Sequence, residues 1–112
     1  IIENKKITAK NINKYFNNIV FIEDLSKFIH NFLFNKKKFF RVINIGSSYK
    51  MKILNVVNYL YNKFNRKKKI RWTKGKSKSF LIDLTNAKKS GFRPSSVKAS
   101  LEKYTDIVLK TL

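Results

Sequence analysis

The stretch Phe80-Leu81-Ile82-Asp83-Leu84-Thr85-Asn86-Ala87-Lys88-Lys89-Ser90-Gly91-Phe92-Arg93-Pro94 carries the clearest structural punctuation in the chain. Phe80-Leu81-Ile82 reads as a strand, and Asp83 ends it as a cap rather than as a catalytic acid. Thr85 is expected to cap a single helical turn, which Gly91 closes in the left-handed conformation. Phe92-Arg93-Pro94 is extended, because the residue before a proline avoids the helical region. Ser95 or Ser96 then caps a last helix that carries Val97, Leu101, Tyr104 and Val108.

Upstream, two amphipathic helices are expected, each beside a short apolar run. Residues 19–22 (Ile-Val-Phe-Ile) are strand-like by β-branching. Leu25, Phe28, Ile29, Phe32 and Leu33 then recur at spacings of three and four, which puts them on one helical face. Glu23 and Asp24 at its start suit the positive end of the helix dipole. Phe40-Arg41-Val42-Ile43-Asn44-Ile45 reads as a buried strand, and Gly46-Ser47-Ser48 ends it and offers a hydroxyl N-cap. A second helix follows with Ile53, Val57, Leu60, Tyr61 and Phe64 on one face and Leu54 and Val56 widening the stripe. Ile70-Arg71-Trp72 makes a short strand, and Thr73 to Ser79 a basic loop. The fold class is therefore α/β, with mixed helices and short strands alternating and no internal repeat.

The chain has 112 residues, 26 Lys+Arg against 6 Asp+Glu and a formal net charge of +20. At 43% hydrophobic and 14% aromatic it is too apolar for a disordered basic tail. No apolar run approaches the roughly 18 residues that a membrane-spanning helix needs, so no membrane partner is expected. Without Cys there is no disulfide, thiol nucleophile or thiolate zinc site, which fits a reducing, cytoplasmic location. Lys dominates the cations, with Arg only at Arg41, Arg66, Arg71 and Arg93, and Asn and Ile are abundant too. That is the composition of an AT-rich coding sequence and of a solvated lysine surface. The clusters Lys36-Lys37-Lys38 and Arg66-Lys67-Lys68-Lys69 sit where helix C-termini are expected, and cations complement the dipole there. His30, the single His, has no partner at ligand spacing. Glu23 and Asp24 are adjacent and diverge on a helix start, so they cannot form a facing carboxylate pair.

The segments Val20-Phe21-Ile22-Glu23-Asp24-Leu25, Val42-Ile43-Asn44-Ile45-Gly46-Ser47 and Phe80 to Pro94, in that order, resemble a known family. They look like the C-terminal part of the extended short-chain dehydrogenase/reductases, the NAD-dependent nucleotide-sugar epimerases and dehydratases. The resemblance runs from about residue 15 to 108. It implies that residues 1–112 are a single partial domain, the C-terminal substrate-binding portion, with the N-terminal Rossmann domain absent. The chain is then expected to begin within a longer polypeptide; it opens Ile1-Ile2-Glu3 without an initiator Met or a signal-peptide core.

By the resemblance, NAD and the catalytic Tyr-x-x-x-Lys pair belong to the upstream domain, and this chain alone binds no cofactor and supplies no catalytic residue. Gly46, Gly75 and Gly91 form no Gly-rich dinucleotide turn. Tyr59 and Lys63 match Tyr-x-x-x-Lys, but they follow the Asn-Ile-Gly strand that the family's pair precedes. The implied partner is a nucleotide-diphosphate sugar, closed over by this portion of the fold. The family's basic residue before the 19–22 strand, which would hold the diphosphate, falls on Asn17, able to donate a neutral hydrogen bond but no charge. A second family Arg, in a later loop, falls on Thr73. The companion Asp falls on Lys76, with Gly75 kept between them. Arg71, Lys74 and Lys76 are expected to supply the positive charge from neighbouring positions, and Ile53 an apolar contact to the nucleotide. Asn and Thr cannot grip phosphate as an Arg fork does, so the substrate is held differently or the chemistry has drifted. As ordinary residues, Asn17 and Thr73 would be polar loop positions and Ile53 part of a core.

The function expected is thus the substrate side of an epimerase or dehydratase fragment, inactive alone, with homodimerisation in the full-length protein left open. The alternative is a small basic nucleic-acid-binding module, in which Trp72, Phe80 and Tyr49 stack on bases beside lysines. A third reading is an enzyme-derived scaffold that keeps only an interaction surface. On the first reading the isolated chain folds poorly, because its helical stripes carry more apolar surface than so small a unit buries. A sharp cooperative thermal transition of the monomer would contradict this.

Overall fold

The structure is a computed structural model that describes residues 1–3, 5–34, 42–75 and 78–112. It is a small mixed α/β fold with the order β1 (Ile7–Lys10), β2 (Tyr15–Phe16), α1 (Ile22–Phe34), β3 (Met51–Lys52), α2 (Ile53–Lys63), β4 (Ile70–Thr73), α3 (Thr85–Lys89) and α4 (Val97–Thr111). The residues group into two compact units, each assembled from two separated stretches: 1–16 with 51–80, and 17–50 with 81–112.

In the first unit β1 and β4 run parallel, with Ile7 opposite Ile70 and Lys10 opposite Thr73. Along β1 the half-buried Ile7 and Ala9 alternate with the exposed Thr8 and Lys10, the period-two signature of a strand with one covered face. β2 and β3 pair antiparallel, Tyr15 opposite Lys52 and Phe16 opposite Met51. Between β1 and β2 the chain reverses through Asn11, at φ 58°. Asparagine tolerates this left-handed conformation because its short amide bonds locally. Lys14 N–H closes the turn on the Asn11 carbonyl at 2.8 Å.

That turn also begins α2. The N–H groups of Ile53 and Leu54 donate to the carbonyls of Lys14 and Ile12, both at 3.0 Å. Lys52 at the N-cap makes no side-chain cap bond, so backbone carbonyls satisfy these otherwise orphan donors. The hydroxyl cap expected from Ser47 or Ser48 is therefore corrected. β3 intervenes before the helix, and the Ser47 hydroxyl donates to the Ile19 carbonyl instead. At its other end α2 stops on Asn65, at φ 49°. Arg66 N–H reaches the Tyr61 carbonyl and Asn65 N–H the Asn62 carbonyl, a Schellman closure with Asn in the glycine position. Tyr61 is 1% exposed, and its hydroxyl accepts from Lys69 N–H at 3.2 Å. Arg66 to Lys69 follow this cap as exposed turn residues.

The second unit is built on Phe28, Ala87 and Phe92, with Val20, Ile43 and Ile45 packed against them. Phe28 and Phe92 meet edge to face at 5.1 Å, a favoured aromatic geometry. Phe28 lies on the buried face of α1, whose first turn carries Glu23 and Asp24 as the dipole argument expects. The N-cap of α3 is Leu84, without a side-chain cap bond, so the expected Thr85 cap is corrected. Thr85 is the first helical residue, and the Asp83 carboxylate accepts from its N–H at 2.9 Å and its hydroxyl at 2.6 Å. These bonds hold the Asp83 pKa below the ordinary 3.8, the hydroxyl contributing most. α3 ends at Gly91, φ 92°, where Phe92 N–H bonds the Ala87 carbonyl and Gly91 N–H that of Lys88. The closure drives Phe92 onto Ala87 in the core, the apolar contact that usually accompanies this cap. Ser96 caps α4, its hydroxyl accepting from Ala99 N–H at 3.1 Å. The covered face of α4 is Val97, Ser100, Leu101 and Thr105, whereas Tyr104 is 55% exposed.

The strand-like runs fare unequally. Residues 70–73 form β4, but 19–21, 42–45 and 80–82 join no ladder among the described residues, and Ile22 already belongs to α1. Residues 40 and 41 lie outside the described residues. A side chain does the bridging instead. Asn17 is buried; its Oδ1 accepts from Ile82 N–H at 2.8 Å, and its Nδ2 donates to the carbonyls of Ile82 at 3.0 Å and Ser47 at 3.3 Å. Ser47 N–H returns to the Asn17 carbonyl at 2.7 Å. One residue thus ties three extended segments through backbone groups that burial would otherwise leave costly and unpaired.

Candidate cationic cleft

In the first unit, the turn between β1 and β2 and the loop leaving β4 face each other across an open cleft of about 370 Å³. Asn11, Ile12, Asn13 and Lys14 line one side, and Trp72, Thr73, Lys74 and Gly75 the other. Parallel pairing of β1 with β4 sets this geometry, since Lys10 and Thr73 are in register and the two loops leave the same strand end. The loops approach closely at Gly75, where a Cβ would lie 2.5 Å from Asn11 Oδ1. Any side chain at position 75 displaces that amide. Thr73 Oγ1 sits 3.5 Å from the Ala9 carbonyl, at the limit of a hydrogen bond.

The lining holds two ammonium groups, two amides, a hydroxyl and an indole, and no carboxylate. Such a surface presents donors to an anion and a flat apolar face to whatever ring the anion carries. Trp72 is the only tryptophan of the chain, so its fluorescence reports on this cleft alone.

Of the six residues expected to touch substrate, the cleft brings together Thr73 and Lys74. Arg71 is exposed on β4 and is not among the lining residues; strand alternation separates it from Trp72. Ile53 is half-buried in the first turn of α2, tied by its N–H to Lys14. Asn17 lies in the other unit, with its amide occupied by Ile82 and Ser47. Lys76 falls outside the described residues. Lys14 and Asn11 line the cleft without having been singled out from the sequence. The signal for them was the Asn11-Ile12-Asn13 turn composition after an alternating run.

Each glycine is committed locally: Gly46 backs onto the Asn17 carbonyl, Gly75 onto the Asn11 amide, and Gly91 closes α3. Tyr59 and Lys63 lie on α2, Tyr59 half-buried and Lys63 exposed. His30 stacks against Phe34 at 4.7 Å. Among the described residues no helix is long and apolar enough to cross a membrane.

No family model matches the chain, and no curated protein or solved structure matches it.

Proposed function

We propose that this chain is the substrate-side portion of an NAD-dependent epimerase or dehydratase acting on a nucleotide sugar. On this reading it derives from the C-terminal part of an extended short-chain dehydrogenase/reductase. NAD and the proton-transfer residues would belong to an upstream Rossmann domain, and no catalytic step is assigned to residues present here. The observation that carries the reading is the cleft: Thr73 and Lys74, in the loop where the resemblance places a second basic residue, share one wall with Trp72 and face Lys14 across the opening. Two ammonium groups replace the missing Arg fork as point charges, giving attraction without bidentate geometry. The diphosphate of a nucleotide sugar would lie between Lys14 and Lys74, with a ring against Trp72.

A second reading has its own support, since lysines beside an indole also suit single-stranded nucleic acid. Phe80, in the same unit and 71% exposed, is a second aromatic side chain open to such a partner. Titrating Trp72 fluorescence separates the two. Quenching by uridine-, thymidine- or guanosine-diphosphate sugars, weakened by Lys14→Gln or Lys74→Gln, supports the enzyme reading. Quenching only by oligonucleotides, with a steep loss on adding salt, supports the second. A Trp72 signal indifferent to every nucleotide sugar sinks the first.

A further inference from the structure

In the second unit a separate open depression of about 500 Å³ is lined by Ser48, Lys88, Lys89, Phe92, Arg93 and Pro94. We infer that it is a binding site for a phosphate monoester, with Lys88, Lys89, Arg93 and Ser48 as the contacting groups. The construction starts with the end of α3. Gly91 reverses the chain, burial of Phe92 pins the reversal, and Pro94 restricts the backbone beyond it. Arg93 is thereby folded back on the helix, where its Nη1 donates to the carbonyls of Lys88 at 3.0 Å and Phe92 at 3.1 Å. Those bonds fix the guanidinium plane. Its Nε and Nη2 donors have no partner among the described residues, nor do the Lys88 and Lys89 ammonium groups have an acidic one.

The negative end of a helix dipole explains why cations gather at this end of α3. It does not account for a depression, nor for a guanidinium held with part of its fork unused. Three cations with a nearby hydroxyl and no carboxylate in the lining match a compact dianion better than a singly charged diester. The volume exceeds that of bare phosphate, so the ligand class is a small phosphorylated molecule, with a terminal phosphate on a nucleic acid as the other source of the same group.

The test is a titration of the full chain, followed by amide chemical shifts, with ribose 5-phosphate, ribose, a 5′-phosphorylated trinucleotide and the same trinucleotide lacking its terminal phosphate. Ribose 5-phosphate is expected to shift Ser48 and Arg93 and to bind at least about tenfold tighter than either unphosphorylated probe. Lys88→Gln with Lys89→Gln, both exposed, should weaken it about tenfold, the scale of losing charge-assisted contacts. Lys67→Gln with Lys68→Gln removes the same charge elsewhere and should leave affinity unchanged. Tighter binding of the 5′-phosphorylated trinucleotide than of ribose 5-phosphate would assign the site to nucleic-acid ends instead. Equal losses in the two double variants, or equal affinity for the trinucleotide without its terminal phosphate, would overturn the site as a mere effect of net charge.

Discussion

The side-chain amide of Asn17 pairs with both backbone groups of Ile82, accepting from its N–H at 2.8 Å and donating to its carbonyl at 3.0 Å. A neighbouring strand would make the same two bonds. Here one side chain makes them and reaches Ser47 as well.

Asn17→Ala should therefore destabilise the second unit by roughly 1–3 kcal/mol, because it leaves buried backbone groups of Ile82 unpaired. Asn17→Asp should cost at least as much, since the carboxylate keeps the acceptor and loses the donor. Amide exchange at Ile82 and Ser47 measures the local opening directly. Unchanged protection at both positions would show that the clamp is dispensable.

Gly46→Ala tests the same junction from the backbone side. An added Cβ would lie 2.7 Å from the Asn17 carbonyl oxygen and 3.3 Å from Ile82 Cβ. The first contact is with backbone, which cannot swing aside, so a loss of about 1–3 kcal/mol is expected. Gly91→Ala meets no neighbouring atom and should act through its positive φ alone, at roughly 1 kcal/mol. Urea titration of the two variants gives the order; a milder effect at position 46 than at 91 would contradict it.

Asp24 and Lys103 join α1 to α4 unequally. Asp24 Oδ2 accepts from Ser95 N–H at 2.8 Å, whereas Lys103 Nζ lies 3.8 Å from Asp24 Oδ1, over the Phe21 ring and 3.1 Å from Ser95 Oγ. The Lys103 side chain is 42% exposed and its ammonium lies at the long end of ion-pair distance, although the Asp24 side chain is only 9% exposed, so Lys103→Met should cost no more than about 1 kcal/mol. Asp24→Ala orphans a backbone donor and should cost about 1.5–3 kcal/mol. Equal costs in a denaturation series would assign the linkage to charge rather than to the backbone bond.

Asp83 gives a pH signature. Its pKa is held below 3.8 by the Thr85 hydroxyl and N–H, so the folded chain favours the ionised carboxylate. A depressed carboxylate contributes stability that is complete above its unfolded pKa and lost as pH falls through the folded one. The stability difference between the parent chain and Asp83→Ala should be flat at neutral pH and shrink as pH drops below 3.8. Constancy of that difference down to about pH 2 would rule the carboxylate out as its source.

The helices, and the ends whose causes are local, were legible, whereas the start of α2 was not. Apolar spacing marks α1, α2 and α4, and Ser96, Asp83 and Gly91 act on neighbours within a few residues. Of the strands only β4 was, as the short run Ile70-Arg71-Trp72. Residues 19–22 and 80–82 have strand composition, yet their polar groups are met by Asn17, Ser47 and a helix start, which no window of sequence contains. β1 escaped notice because four residues of alternation are a weak signal, and the partner that makes them a strand, β4, lies some sixty residues away. The cleft shares this origin: Thr73 and Lys74 stood out in sequence, but Lys14 and Asn11 join them only through the parallel register.

The exposed apolar face of α1, with Leu33 at 70% and Phe34 at 74%, divides the two kinds of information again. Periodicity placed these side chains on a stripe, and only the tertiary structure decided which of them are covered. The amino-acid order by itself determined composition, charge, helix positions, the Gly91 closure and the Ser96 cap, because those follow from interactions within one or two turns. Which cations share a cleft, and whether Asn17 faces a ligand or a backbone, was decided by chain segments meeting across long loops, where geometry rather than residue type sets the outcome.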